Sequence, residues 1–193
     1  MVSTDEPVQR FWMAIESYSN WVADKENGFR FTGVTEYRST NAARVNKNDM
    51  VFIYVPSPEC AFSDVRRVMQ GGLSRSSHAA EYDIPCSQGI LTASLIVLDE
   101  NKWVPIKKLV GKLSFIRLTV KWGYALRHSF RELNPDDAAL IVNQMAAVAP
   151  SSRWPGIMAE ISVAKGASKP ASRNRNQRAR PTRGGLSNRS TQR

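Results

Sequence analysis

A chain of 193 residues with 42% apolar composition is long enough to bury one core and too apolar to be disordered throughout. Its 27 Lys and Arg against 17 Asp and Glu give a formal charge of +10, but nine of those bases (165, 169, 173, 175, 178, 180, 183, 189 and 193) lie in residues 165–193 with no acid among them, leaving 18 bases against 17 acids upstream. A nearly neutral folded part excludes a binder that works by charge alone, so selectivity is expected from a shaped pocket, with the tail adding sequence-independent attraction to phosphates.

Arg10 to Glu16 (RFWMAIE) is a bulky apolar run that fits a buried strand with Trp12 as core. It ends at Ser17-Tyr18-Ser19-Asn20-Trp21, where Ser and Asn side chains cap backbone donors and start a short helix. Asn27-Gly28 marks a turn with Phe29 and Phe31 close behind it. Thr40 to Val45 is weakly helical, and the turn Asn46-Lys47-Asn48-Asp49 launches the strand Met50 to Val55 (MVFIYV), stopped by Pro56 and Pro58. Ala61 to Met69 reads as the returning strand, ended by Gly71-Gly72; Ser74 to Asp83 reads as a polar loop and Ile90 to Leu98 as the next strand.

Pro105 opens a short helix through Leu109 and Val110, and Leu113 to Val120 is β-rich. Asn134-Pro135-Asp136-Asp137 combines an N-cap, a proline at the first helical position and acids facing the positive end of the dipole. The helix is predicted to run to about Val148, with Leu140, Ile141, Met145 and Val148 on one face and Pro150 at its end. Beyond Ser151 the pattern dissolves, leaving Trp154 and Ile157-Met158 to dock on the domain. From Lys165, Gly, Ser, Pro, Asn and Arg dominate, a composition that cannot offset the entropy of ordering, so the tail is expected to be disordered when free. The expected organisation is a domain over 1–150, a docked extension over 151–164 and an Arg-rich tail over 165–193, with an α+β fold around a curved or barrel-like mixed sheet.

Several of these segments carry a family resemblance. Lys112-Leu113-Ser114-Phe115-Ile116, then Lys121-Trp122-Gly123-Tyr124-Ala125-Leu126-Arg127, then Arg131-Glu132-Leu133 and the acidic helix start at Asp136 resemble the C-terminal signature of EVE domains. The strand with Trp12, the turn ending in Trp21, the turn and strand from Lys47 to Val55, the returning strand from Phe62 and Val104-Pro105 follow in the family's order, so the resemblance spans roughly residues 10 to 147. It implies a PUA-like mixed β-barrel with short flanking helices, related to the YTH domains that hold a methylated base in an aromatic-lined pocket. EVE domains are generally readers of modified bases, often in DNA. Many relatives carry a tryptophan near the position where this sequence offers Phe29 and Phe31, and the loop Arg75 to Asp83 has no counterpart in the family pattern.

Reading one modified base requires taking it out of the stack, at a cost of about a few kcal/mol recovered inside a pocket. Aromatic faces supply roughly 1–3 kcal/mol per base without regard to identity, so identity must come from polar groups facing the base edge. Ser17, Asn20, Trp21 and Phe31 bring both kinds of group together in sequence, Tyr54 and Trp122 are further pocket candidates, and Lys112, Lys121 and Arg127 are candidate phosphate contacts. Each has a plainer reading: Ser17 and Asn20 as helix caps, Tyr54 as a core strand residue, Trp122 as packing and the three bases as solvated charge.

Catalysis would need His78 or His128 to pair with Cys60 or Cys86, but no nucleophile motif, P-loop or Gly-x-Gly signature surrounds them. The two cysteines lack a CxxC spacing and read as reduced, partly buried thiols. The expectation is therefore a protein that is not an enzyme, with no cofactor or metal. With no apolar run of about 18 residues and with Asp5 and Glu6 near its start, it reads as cytoplasmic with no membrane partner. The alternative is an RNA-binding or protein-interaction module whose basic tail alone touches nucleic acid.

Overall fold

The computed structural model describes residues 8–35, 39–75, 86–117, 120–126 and 130–167. Its centre is β3 (Met50–Val55), whose six apolar residues are all buried because both faces of the strand are covered. β1 (Phe11–Ile15) lies parallel to it, from Phe11 beside Met50 to Ile15 beside Tyr54. A parallel pair needs a long crossover, and here it carries α1 (Tyr18–Glu26), β2 (Phe31–Val34) and α2 (Ser39–Ala42). β4 (Ala61–Val68) returns antiparallel to β3 with an irregularity at Ile53/Tyr54.

The ten-residue β6 (Gln88–Val97) joins the two halves of the sheet. Its later residues, Thr92 to Val97, pair with β4, while Gln88 to Leu91 pair with β2. β8 (Phe130–Leu133) closes the other side against β1, and the two-residue strands β5 (Ser74–Arg75) and β7 (Val104–Pro105) add to β6 and β4. The order β2-β6-β4-β3-β1-β8 is thus one curled mixed sheet, a half-barrel with short helices around it. At one end of this sheet β1 leaves at Ile15, β3 leaves at Val55, β4 enters at Ala61 and β8 enters at Phe130, opposite Ala14.

The Asn134 cap forms as the sequence predicts: its Oδ1 accepts the Asp137 N–H at 2.7 Å and starts α3 (Pro135–Val148). Asp137 has a second role, taking the Ser114 N–H at 2.8 Å and its hydroxyl at 2.6 Å. That clamp explains the first correction. Leu109 to Ile116 is a run of tight turns, with Leu113 N–H donating to Leu109 O and Ile116 N–H to Leu113 O, where a β-rich stretch from Leu113 is expected.

The second correction lies beyond Ser151, where the chain forms α4 (Trp154–Ala167) instead of losing its pattern. Trp154, Ile157, Ile161 and Ala164 recur at helical spacing and are buried, and Lys165 pairs with Asp136 of α3. Small residues and glycines near both ends, Gly156 and Gly166, dilute that stripe in the sequence. Of the remaining tail, residues 168–193 lie outside the described residues, as do 76–83 of the expected polar loop, His78, Arg127 and His128. Among the described residues no helix is long and apolar enough to cross a membrane.

Candidate functional site

α1 begins where β1 ends, and its first turn is set by Ser17, which has an extended backbone and whose hydroxyl oxygen accepts the Asn20 N–H at 3.2 Å. Helical spacing then divides the residues that follow. Trp21 and Asp24 share a face turned into the main core, while Asn20 and Ala23 share another.

On the first face lies a buried ionic network. Arg66 of β4 is fully buried and surrounded by three carboxylates: Asp64 at 2.8 Å from Nε, Glu16 at 2.8 Å from Nη2, and Asp24 at Nη1. Nη1 also donates to Thr32 Oγ1 at 2.9 Å and to the Phe31 carbonyl at 3.2 Å, so one guanidinium ties together β1, α1, β2 and β4. Trp21, fully buried, donates its indole N–H to Asp64 Oδ2 at 2.7 Å, and its ring meets Trp103 edge-on at 4.8 Å and Phe29 at 5.7 Å. Phe29 sits at φ 57°, a costly region for a bulky side chain, directly after Gly28 at φ 66°, and its ring is held against the Arg66 guanidinium at 4.9 Å. Burial pushes the Glu16 carboxyl well above the ordinary carboxylate range; Arg66 pulls it down, but the neighbouring Asp24 and Asp64 add to the upward push.

On the second face the chemistry is unfinished. Asn20 is only 6% exposed, yet its Oδ1 has no donor. One turn along, Ala23 joins Phe31 and Cys86 in a small apolar cluster separate from the main core, with Leu91 against it. The Phe31 ring lies over Gly89 of β6 so closely that a Cβ there would stand 2.3 Å from the ring, so the glycine creates the seat for the aromatic. The hydroxyl of Thr35, just past β2, is a second buried polar atom without a partner.

The structure thus seats Phe31 against Ala23 where α1, β2 and β6 meet, leaves Asn20 one turn before Ala23 and Ser17 as the cap of the same helix, and sends the other candidates elsewhere. Trp21 is committed to the core. Tyr54 is buried near the end of β3, its ring against Phe62 at 5.5 Å, and burial together with Cys60 raises its hydroxyl far above the usual phenol range. Trp122 is half-buried in a 3₁₀ turn (Trp122–Leu126), and Lys112 and Lys121 are exposed on the segment leading to it.

Sequence reasoning missed the Arg66 network. Charged residues within a strand, Asp64 and Arg66, were its one signal, and the other two acids, Glu16 and Asp24, lie far away in the chain. A groove of about 920 Å³ lined by Gln9, Lys47, Arg67, Gly71, Glu160 and Val163 lies against α4 at the end of the sheet where β3 begins and β4 ends, and none of the candidate residues lines it. Among the described residues no group of three or more His, Cys, Asp or Glu is placed to hold a metal ion.

Solved structures show the same architecture. A hypothetical protein from Leishmania major superposes with a TM-score of 0.54 at 13% identity, over 72% of this chain and 96% of that one. The YTH domain of Zygosaccharomyces rouxii MRB1, in complex with N6-methyladenosine RNA, gives 0.53 at 12% identity, over 72% and 88%. Human THYN1, in complex with 5-methylcytosine-containing DNA, gives 0.50 at 11% identity, over 71% and 98%. At these identities the likeness establishes the PUA-like fold and nothing finer. No curated protein matches the sequence. The EVE domain matches residues 10–144, which is most of the chain and nearly the whole of the curled sheet with α3, and the protein therefore belongs to the EVE domain family.

Proposed function

We propose that this protein binds nucleic acid by holding one modified, flipped-out base at the junction of α1, β2 and β6, without reacting with it. The observation that carries the reading is the Asn20 amide: a buried oxygen without a donor, one helical turn before the Ala23 that packs on an aromatic seated over glycine. Leaving such an acceptor unmatched costs about 1–3 kcal/mol, and a ligand that supplies the missing N–H recovers it. Cytosine and adenine both present an exocyclic amino group on the Watson–Crick edge, and a modified form of either that keeps one amino hydrogen suits this acceptor. Phe31 is the stacking face and Ser17 orders the turn that aims Asn20. The fully buried Trp21 acts as the support behind α1.

Relatives of the same fold in complex with 5-methylcytosine DNA and with N6-methyladenosine RNA support a modified base as the ligand, and DNA and RNA are both carriers for the test. The test is a binding panel of short DNA and RNA strands, each with one modified cytosine or adenine and an unmodified control. The proposal expects at least one modified strand to bind tighter than its control, and Asn20→Ala to erase that difference. Equal affinity across every pair would refute it and leave an interaction module whose tail alone meets nucleic acid.

A further inference from the structure

The folded part is close to neutral overall, but its charges are unevenly placed. From Asn101 to Phe130 the sequence contains no Asp or Glu, and Lys107, Lys108, Lys112, Arg117 and Lys121 from this stretch are all exposed. None of the five pairs with a carboxylate among the described residues; in the same stretch Lys102 is held by Asp99. The topology strings this segment across one end of the sheet. It leaves β7, whose Val104 pairs with Phe62 at the start of β4, and returns to β8, whose Phe130 pairs with Ala14 near the end of β1. That is the end at which Glu16 and Ser17 pass the chain into α1.

Within the segment, the 3₁₀ turn is anchored from below. Leu126 is buried, Trp122 is half-buried against the core, and Arg131, packed over the Phe115 ring at 4.8 Å, donates to the Ala125 carbonyl at 3.0 Å. What the anchored turn presents outward is apolar: Tyr124 is 54% exposed and Val120 91% exposed, with Lys121 between them in sequence. Exposed aromatic and aliphatic surface interleaved with unpaired bases complements a strand whose phosphates are charged and whose bases have open faces. A duplex offers its phosphates but keeps its base faces stacked, so it matches half of this surface.

We propose that the turn from Val120 to Leu126 is a stacking platform for a nucleotide flanking the recognised base, and that the protein's partner is therefore single-stranded nucleic acid, or a strand opened next to the modification. The inference rests on the base-reading proposal for the position of the neighbouring nucleotide. Tyr124 supplies the face, Lys112 and Lys121 neutralise the phosphates beside it, and the platform is indifferent to base identity because every base has a π-face.

The test uses the full chain with a labelled single strand carrying one modified base, the same strand unmodified, and a blunt hairpin duplex, all at one salt concentration. Tyr124→Ala should weaken both single strands by roughly five- to 150-fold, with the ratio between them unchanged, and the hairpin by far less. Tyr124→Phe should stay within about twofold of the parent, because a phenyl ring stacks as a phenol does. Tyr124→Phe, which keeps the ring, should melt with the parent, and the melting temperature of Tyr124→Ala is measured beside its affinity so that only folded protein is compared. Unchanged single-strand affinity in a folded Tyr124→Ala overturns the platform and points to a protein-contact surface; equal loss on the hairpin also overturns it. If the parent does not distinguish modified from unmodified strands, base reading fails, while the loss on Tyr124→Ala still decides the platform.

Discussion

Trp21 and Asn20, adjacent in sequence, face different surroundings: the indole is fully buried with its N–H on Asp64, while the amide next to it has a buried oxygen with nothing to bind. Trp21→Ala should therefore act on the fold, removing a large core side chain and stranding an acceptor on Asp64, at about 3–5 kcal/mol. Asn20→Ala removes no satisfied contact of its side-chain oxygen and should stay within about 1 kcal/mol of the parent in stability while losing preference for a modified strand. Urea unfolding beside binding curves separates the two; an Asn20→Ala protein that unfolds as early as Trp21→Ala would remove Asn20 from the site. The residue types were legible in the sequence, since Ser17, Asn20 and Trp21 stand together. Their division was not, because it depends on how α1 is rotated about its axis, and that is set by Arg66 from a distant strand and by Phe29 in the turn that follows the helix.

The elements that formed as expected are those with strong local signals: the apolar run of β3, the Ser17 and Asn134 caps, and the turn before Met50. β2 and β8 were not legible as strands, because four residues each give no clear period and their pairing partners, β6 and β1, lie far along the chain. Arg66 is the pin for this part of the fold. Arg66→Met would leave three carboxyl groups buried together and should cost about 3–5 kcal/mol.

Glu16 gives the same network a pH signature. Its pKa is raised in the folded state, so folding takes up a proton, and the stability tied to that proton is present at and below the ordinary value of 4.5 and lost as pH rises from there through the folded pKa. Glu160 works the other way: burial favours its neutral form, but the Arg67 and Gln9 hydrogen bonds outweigh it, so its contribution is lost as pH falls. The informative readout is thus a difference. The gap in unfolding free energy between the parent and Glu16→Gln should shift in favour of the Gln variant as pH rises from about 5 to about 8, and a gap that stays constant would mean that Glu16 is ionised in the fold.

Across the whole molecule, two basic regions have separate jobs in this account: the acid-free stretch before β8, fixed on the domain, and the tail. The sequence alone suggests cutting at Lys165, but Lys165 pairs with Asp136 and Ala164 is buried, so a truncation that spares the fold keeps residues up to Ala167. Removing 168–193 takes eight of the nine tail bases, all but Lys165. If four of them meet duplex phosphates, the slope of log affinity against log salt should flatten by about 3.6, equally for every sequence. An unchanged slope would show that the tail does not touch nucleic acid.

The central claim is that selectivity resides in the folded site and not in the tail. It is tested most directly by the ratio of affinities for a modified strand and its unmodified control, measured at about 0.15 M salt for the full chain and for the protein ending at Ala167. The account predicts the same ratio, above one, in both proteins, while absolute affinity falls in the shorter one. A ratio of one in the protein ending at Ala167, alongside a ratio above one in the full chain, would contradict it.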